Sequence, residues 1–219
     1  MPRPRSLTDE QLVAAALAVI DRDGLPGLTM RAVAGELRIA TMGLYRYVAD
    51  RQALEILVVD HIFRTVDLSL PPANWADRMR TLMDRLRVAV AAHPAVVPLV
   101  LRHRQAAPGS LLLIETMLAV LTDGGHTGTD RVVAQRTLVG YLLGFLQNEH
   151  YAALSGAGTV AMSELSADEF PHLARTAADA RTLVPAEEFR RGLDVVLRGL
   201  GGRPDAAVTP CDQRESSGP

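Results

Sequence analysis

The chain has 219 residues, enough for one large helical domain or for a small domain joined to a larger one. Hydrophobic residues make up 48% of the chain but aromatic residues only 4%, a composition that favours helices over strands, so we expect an all-α fold. All of its basic residues are arginine, and the formal net charge of −2 argues against a non-specific nucleic-acid coat or a polybasic membrane binder.

Polar residues and a glycine bound the first two predicted helices. Thr8 and Gln11 fit a capping box, in which each side chain bonds to the backbone of the other residue. Gly24 is placed to end the first helix, because glycine takes a left-handed turn at low cost. Thr29 is the predicted N-cap of the second helix, and residues 38–40 form a break after it.

Two further helices complete an N-terminal unit. Thr41 is the predicted cap of a third helix of only about seven residues, and Asp50 is the predicted cap of the fourth helix. Consecutive prolines, Pro71 and Pro72, then force the chain out of helix and mark the boundary with the remainder.

The remainder of the chain reads as about six more helices. Asn74 begins one of them, and the longest runs from about residue 129 to 154, with apolar residues around much of its circumference. We expect a loop over residues 155–167, a helix that opens at Pro171, and a last helix that opens at Pro185.

Cysteine content and hydropathy indicate where the protein works. The only cysteine, Cys211, has no partner for a disulfide, which fits a reducing cytoplasm. The apolar segment 12–20 directly follows Asp9 and Glu10, so we interpret it as an ordinary helix and not as a targeting signal. No uninterrupted apolar run approaches the roughly 18 residues that span a bilayer. We therefore expect a soluble, cytoplasmic protein with no membrane partner.

The second helix, the three-residue break and the short third helix have the proportions of a helix-turn-helix, whose second helix enters the DNA major groove. In that arrangement Arg46 reaches a guanine edge or a phosphate, and the hydroxyls of Tyr45 and Tyr47 hold phosphates. Packing roles for the two tyrosines and a merely solvated Arg46 are the alternatives. The candidate DNA-contacting residues are Thr29, Met30, Arg31, Thr41, Met42, Gly43, Tyr45, Arg46, Tyr47 and Arg51.

The segment GLTMRAVAGELRIATMGLYRYVADRQAL, residues 27–54, resembles the DNA-binding motif of the tetracycline-repressor (TetR) family of bacterial transcription regulators. The agreement includes the leucine-threonine before the second helix, the leucine before the turn, and the leucine-tyrosine pair of the third helix. The segments LLIETMLAVLTDGGHT, GYLLGFLQNEHYAA and EFPHLARTAADA are similar to the ligand-binding domain of the tetracycline repressor's own subgroup. The resemblance covers roughly residues 8–200.

This resemblance implies a division of the chain into two domains. Residues 1–52 form a helix-turn-helix DNA-binding domain of three helices, a fourth helix over residues 50–68 connects, and residues 69–202 form a larger helical domain for ligand binding and dimerisation. Residues 203–219 are polar and are expected to be disordered. The resemblance also implies a homodimer whose last long helices pair as a four-helix bundle, with a small-molecule pocket in each C-terminal domain.

Eight residues match positions that line the ligand cavity in the resembled subgroup: His61, Met83, Leu86, His103, Met117, Tyr141, Phe145 and Asn148. Simple core packing is the alternative for each of them. His103 matches a histidine that helps to bind a metal-chelated drug, but either Asn148 or Glu149 stands where that site has its glutamate. We therefore predict no metal and no cofactor.

The sequence gives little support to an enzyme. It has no Gly-x-Ser-x-Gly elbow, no Walker loop, no His-Glu-x-x-His and no Cys-x-x-Cys, and its six histidines are scattered. We predict a homodimeric, sequence-specific DNA-binding transcriptional regulator, a repressor that a small and largely apolar molecule releases from a palindromic operator. A helical small-molecule carrier or sensor without DNA-binding activity is the alternative.

Overall fold

The computed structural model describes residues 7–201, and in that range it has helices and turns but no strand. The eleven α-helices of this part of the chain are α1 (Asp9–Gly27), α2 (Met30–Glu36), α3 (Thr41–Leu44), α4 (Arg51–Arg64), α5 (Trp75–Ala91), α6 (Val97–His103), α7 (Gly109–Asp123), α8 (Gly128–Ala152), α9 (Ala157–Ser163), α10 (Pro171–Ala180) and α11 (Pro185–Gly201). A 3₁₀ turn, Pro94–Val96, precedes α6. The prediction of an all-α fold is confirmed.

Four of the predicted N-terminal helix caps are present. Thr8 and Gln11 form the reciprocal capping box of α1, with distances of 3.1 and 3.3 Å between side-chain oxygen and backbone nitrogen. The side chains of Thr29, Asp50 and Asn74 each accept a hydrogen bond from the third residue of the helix that follows, at 3.1, 2.8 and 2.9 Å. Each bond satisfies a backbone donor that has no partner inside its helix.

The structure corrects the predicted ends of three of the N-terminal helices. Gly24 takes the left-handed conformation (φ 72°), but a helical turn follows it, so it kinks α1 and does not end it. Ala40, not Thr41, is the N-cap of α3, and α3 is only four residues long. Residues 45–47 continue as a tighter turn, closed by a bond from the amide of residue 47 to the carbonyl of Leu44 (2.9 Å). Helix α4 ends at residue 64, before the predicted 68, and the hydroxyl of Thr65 bonds back to its last turn.

The segment 155–167, predicted as a loop, contains helix α9. Gly156 precedes it in an extended conformation, and Thr159 is buried against α10, the element that α9 packs against most extensively. A seven-residue helix gains little stability from its own hydrogen bonds. Packing against α10 therefore stabilises α9, and no local signal in the sequence marks it.

The two parts of the chain have continuous apolar cores. Residues of α1, α2, α3 and α4 bury their apolar side chains together, with Leu44 fully buried. In the larger part, the whole apolar stripe of α5 is buried, as are Phe189, Leu193 and Leu197 of α11. No helix within residues 7–201 is long and apolar enough to cross a membrane. The predicted disorder of residues 203–219 concerns a segment outside the described residues.

Candidate nucleic-acid interface and ligand cavity

Helices α2 and α3 form a compact reading head with the turn between them. Leu44 and Val48 are buried, and they fix α3 against α1 and α2. Arg38 adopts a left-handed conformation (φ 55°), which reverses the chain between the two helices. With its inner face fixed in this way, α3 turns its other face to solvent.

The solvent-facing surface of α3 and the following turn carries large side chains. Met42 is 77% exposed, Tyr45 is 45% exposed and Tyr47 is 38% exposed. Arg46 is exposed, whereas Thr41 is half-buried. An exposed methionine at the start of a four-residue helix has no packing role in a single chain, so this surface is arranged for contact with another molecule.

The unpaired arginines of the reading head are Arg31, Arg38 and Arg46, for none of which the described part of the chain supplies a carboxylate partner. Arg22, at the edge of the head, differs because it pairs with Asp23 and with Glu36 on α2. The three unpaired guanidinium groups are all exposed and available to phosphates. Arg38 was not among the predicted contacts; its place in the turn of the helix-turn-helix is the signal that points to it.

Three other predicted DNA contacts are not exposed side chains that are free to bind. The side chain of Met30 is buried, because it occupies the inner face of α2. Thr29 is exposed, but its hydroxyl caps α2. Gly43 is half-buried, with room beside it, since an added Cβ would lie 3.9 Å from Ile39 and Arg46.

Arg51, the remaining predicted DNA contact, is exposed, but its side chain bonds to other residues of the protein. Its Nε donates to Glu55 at 2.8 Å, and a terminal nitrogen lies 3.5 Å from the carbonyl oxygen of Leu25. Glu55 is buried and also bonds to Nε2 of His103 on α6, at 2.8 Å. Burial raises the pKa of Glu55, but the hydrogen bonds from His103 and Arg51 outweigh this effect, so the pKa is lowered and the carboxylate stays charged.

A second carboxylate of α4 joins this helix to the larger domain. Asp60 accepts a hydrogen bond from the amide of Gly109, the first residue of α7, and its other oxygen accepts from Arg64 at 2.6 Å. It therefore caps α7 from a neighbouring helix, in place of the side-chain cap that the preceding Pro108 cannot supply. Glu55 and Asp60 together fix α4 to both α6 and α7.

A cavity of about 300 Å³ lies among α4, α5, α6, α7 and α8, at the low end of the range for small-molecule sites. Its apolar wall consists of Phe63, Leu86, Val90, Val100, Leu113, Ile114, Met117, Val139, Gly140, Leu142, Leu143 and Leu146. Its polar wall consists of Arg104, Gln105, Ser110, Gln135 and Arg136.

Of the eight residues predicted to line the ligand site, Leu86 and Met117 lie on the cavity wall. Met83 is fully buried in the core, and Asn148 is exposed. His61 is half-buried on α4 and lies outside the cavity lining.

The other three predicted ligand residues have packing partners elsewhere. The Nε2 atom of His103 is engaged with Glu55. The hydroxyl of Tyr141 donates to the carbonyl oxygen of Phe189 at 2.7 Å, and Tyr141 and Phe145 both stack against the Phe189 ring. Burial and the nearby Glu188 carboxylate raise the pKa of Tyr141 to about 12, so this hydroxyl stays protonated and remains a donor.

The polar residues of the cavity wall were not predicted from the sequence. Arg104 and Gln105 follow α6 directly, and Gln135 and Arg136 precede the apolar stretch of α8. The available signal was that residues 85–114 include four arginines and no acid. Within residues 7–201 no three His, Cys, Asp or Glu side chains gather in a way that would hold a metal ion.

The fold and these two sites define a class of protein: a helix-turn-helix transcriptional regulator with a ligand cavity behind its DNA-reading head. Residues 68–203 match the family model for the tetracyclin repressor-like C-terminal domain. The chain is 30% identical to the tetracycline repressor protein class D of Escherichia coli, with 89% of each sequence covered. It therefore belongs to the tetracycline-repressor family of transcriptional regulators.

Two further proteins show the same relationship. The chain is 27% identical to the HTH-type transcriptional repressor DrrR1 of Streptomyces coeruleorubidus, over 91% of this chain and 78% of that one. The crystal structure of the Streptomyces coelicolor TetR family protein ActR in complex with (S)-DNPA has a TM-score of 0.75 and 25% identity, over 89% of this chain and 96% of that one. The predictions of the family and of a ligand-responsive DNA-binding regulator are confirmed.

Proposed function

We propose that the protein is a homodimeric repressor that binds a palindromic operator through α3 and is released from it when a small molecule enters the cavity. The observation that carries this proposal is the outward surface of α3, where Met42 is 77% exposed beside the unpaired Arg46. Residues 1–52 act as the DNA-binding domain, α4 as the connector, and residues 69–202 as the ligand-binding and dimerisation domain. The family-model match over residues 68–203 supports this division.

In this proposal each exposed side chain of the reading head has a distinct role. Met42 contacts thymine methyl groups in the major groove, and Arg46 reads a guanine edge. Tyr45, Tyr47 and Arg31 bind phosphates and fix the register of the head on the duplex. Repression follows from steric occlusion of the operator, since this arrangement needs no further surface to recruit a polymerase.

The apolar surfaces of α8 and α11 support a dimer. Val132 and Val133 on α8 are 56% and 61% exposed, and Val195 on α11 is 61% exposed. The α9–α10 hairpin also leaves Phe170 and Leu173 about two-fifths exposed, at 41% each. Two-fold pairing would bury such surfaces twice in one step and would set two reading heads one helical turn of DNA apart.

Helix α4 supports a mechanical link between the cavity and the DNA. Its first residue, Arg51, is bound to the carbonyl of Leu25 beside the reading head, and Phe63 near its last turn lines the cavity. Twelve residues of helix separate them, a rise of about 18 Å. A ligand that displaces Phe63 therefore tilts α4 and changes the distance between the two heads of the dimer.

The proposal excludes a catalytic role and places the protein in the cytoplasm with the DNA that it binds. Membership of a family of transcriptional regulators supports this view.

The experiment that tests the proposed function is selection of bound duplexes from a random DNA pool by the purified full-length protein. We expect a palindromic site with half-sites about one helical turn apart, roughly 10 base pairs. Folded, dimeric protein that enriches no sequence over the starting pool would contradict the proposal and favour a small-molecule carrier.

A further inference from the structure

We propose that the cavity binds an organic acid, a ligand with an apolar body and a carboxylate that Arg104 and Arg136 recognise. This inference rests on the proposed function of the cavity as the effector site. It specifies the charge and shape of the effector, which the family relationship leaves open.

The first observation is the pairing of the arginines around the cavity. Among those of α5 and α6, Arg85, Arg87 and Arg102 pair with Asp67, Asp84 and Glu55, at 3.1, 2.9 and 3.5 Å. Arg104 and Arg136 differ from these three, because residues 7–201 offer neither of them a carboxylate within ion-pairing distance. Both of these arginines line the cavity.

The second observation is the absence of acidic residues from the cavity wall. Its lining includes two arginines and no aspartate or glutamate. The chain segments that build most of the wall, residues 85–114 and 131–148, have six arginines and no acid between them. Of these six, only Arg104 and Arg136 line the cavity, and the lining has no carboxylate to neutralise them, which favours an anion and disfavours an amine.

The third observation is the arrangement of polar and apolar groups along α8. Gln135 and Arg136 come first, and the apolar residues from Val139 to Leu146 follow over the next three turns of the helix. Arg104 is half-buried and donates to the carbonyl oxygen of Leu101 at 2.6 Å, while Arg136 is exposed. Along α8 the wall thus passes from a charged residue to an apolar surface, which matches a ligand with an anionic head and an apolar body.

The chemistry of guanidinium favours a carboxylate as that head. Its planar fork of N–H donors matches the two oxygens of a carboxylate, and only one bond from Arg104 to the protein is already made. The amide side chains of Gln105 and Gln135 provide further donors on the same wall. Binding is non-covalent, and the carboxylate stays ionised near neutral pH because carboxylic acids ionise well below it.

The test compares matched probes that differ only in charge. Anthracene-2-carboxylate and anthracene-2-carboxamide, with the corresponding naphthalene pair, are titrated by calorimetry into the full-length protein and into R104Q, R136Q and R131Q. We expect the carboxylates to bind about tenfold or more tightly than the amides, since a charge-assisted hydrogen bond is roughly twice as strong as a neutral one. R104Q and R136Q should each remove most of that preference.

R131Q is the matched control, because Arg131 lies on α8 five residues before Arg136 and bonds to Thr122 outside the cavity. It should leave the preference unchanged. Equal affinity for acid and amide, no binding of any carboxylate, or an equal loss in R131Q would overturn the inference. DNA binding, measured on the same samples without probe, tests the proposed function separately. Protein that prefers the acids but selects no DNA sequence would contradict the proposed repressor function and not the inference about the ligand.

Discussion

Three consecutive residues of the reading head, Leu44, Tyr45 and Arg46, separate packing from recognition. Leu44 is fully buried in the core of the head, whereas Tyr45 is 45% exposed and Arg46 is exposed without a carboxylate partner in residues 7–201. A helix turns its successive residues by about 100°, so neighbours in sequence lie on different faces. Substitution of Leu44 should therefore reduce stability, whereas substitution of Arg46 should reduce DNA binding.

We expect Arg46→Ala to weaken operator binding by about 1–3 kcal/mol for each half-site, the usual cost of losing an arginine contact to a base edge. Its melting temperature should stay close to that of the wild type, because Arg46 is exposed. Leu44→Ala is the matched control and should lower the free energy of unfolding by about 2–5 kcal/mol through the cavity that it leaves. Fluorescence anisotropy with the selected operator and thermal melting measure the two effects. A large loss of stability in Arg46→Ala would show that Arg46 packs and does not read DNA.

The lowered pKa of Glu55 determines how the free energy of unfolding changes with pH. The folded-state pKa of Glu55 is lowered from the ordinary value of 4.5, chiefly by His103 and Arg51 acting against burial. A lowered carboxyl pKa contributes stability that is fully present above the unfolded-state value and is lost as pH falls through the folded-state value. We expect Glu55→Gln to destabilise the protein by about 1–3 kcal/mol at pH 7, the usual contribution of hydrogen bonds to a charged group.

The free energy of unfolding, measured by urea denaturation between pH 7 and pH 3.5, checks this expectation. The difference between wild type and Glu55→Gln should shrink as the pH falls below about 4.5, because Glu55 then takes up a proton in the unfolded state before it does so in the folded state. Glu164→Gln is the control, since Glu164 is exposed and should have little effect at any of these values. A difference that stays constant over the whole range would contradict the role of the Glu55 charge.

At the scale of single elements, the close packing of α11 on α8 depends on a glycine. A Cβ added at Gly192 would collide with the hydroxyl group of Tyr141. Tyr141 cannot retreat without losing its hydrogen bond to Phe189, whose ring is fully buried. Gly199, seven residues later on the same helix, has open space where its Cβ would lie.

We expect Gly192→Ala to lower the free energy of unfolding by about 1–3 kcal/mol, as overpacking in a dense interface does. Gly199→Ala should raise it by up to about 1 kcal/mol, because alanine has the higher helix propensity. Urea denaturation of the two variants measures the contrast, and size-exclusion chromatography shows whether each remains dimeric. Equal effects of the two substitutions would mean that the contact between Gly192 and Tyr141 does not limit the packing.

The elements also show what the sequence predicts well. The caps at Thr8, Thr29, Asp50 and Asn74 were predicted correctly, because a cap depends on residues within one turn of the helix start. The short helix α9 was missed, because its stability comes from packing against α10 and not from its own residues. Local chemistry determines the starts of these helices, whereas tertiary contacts determine which marginal segments become helical.

The two candidate sites also differ in whether local sequence or tertiary contacts determine them. The exposed Met42, Tyr45 and Arg46 lie within five residues of one short motif, so the geometry of that motif alone brings them close together. The cavity is built from five helices that together span about 100 residues, and only Leu86 and Met117 of the eight predicted residues line it. His103 illustrates the reason: it was predicted as a ligand-binding residue, but its Nε2 bonds to the buried Glu55, which lies 48 residues away in the sequence.

At the scale of the whole molecule, a two-fold dimer doubles every DNA contact, and the salt dependence of binding measures this doubling. The logarithm of affinity falls with the logarithm of salt concentration by about 0.9 for each phosphate neutralised. Arg31 is exposed at the start of α2 and has no carboxylate partner among residues 7–201, so we expect it to bind one phosphate in each protomer. Arg31→Gln should therefore reduce the slope by about 1.8 in a dimer, but by only about 0.9 if a single head bound the DNA.

Operator titrations at several salt concentrations measure these slopes for wild type, Arg31→Gln and Arg175→Gln. Arg175 is the control, because it is exposed on α10, a helix that contributes nothing to the reading head. The control slope should equal that of the wild type, since charges far from the DNA displace no condensed counterions. A change of about 1.8 in Arg31→Gln alone would show that two heads engage the operator together. A change of about 0.9 would contradict the dimeric mode of binding, and no change would remove Arg31 from the set of phosphate contacts.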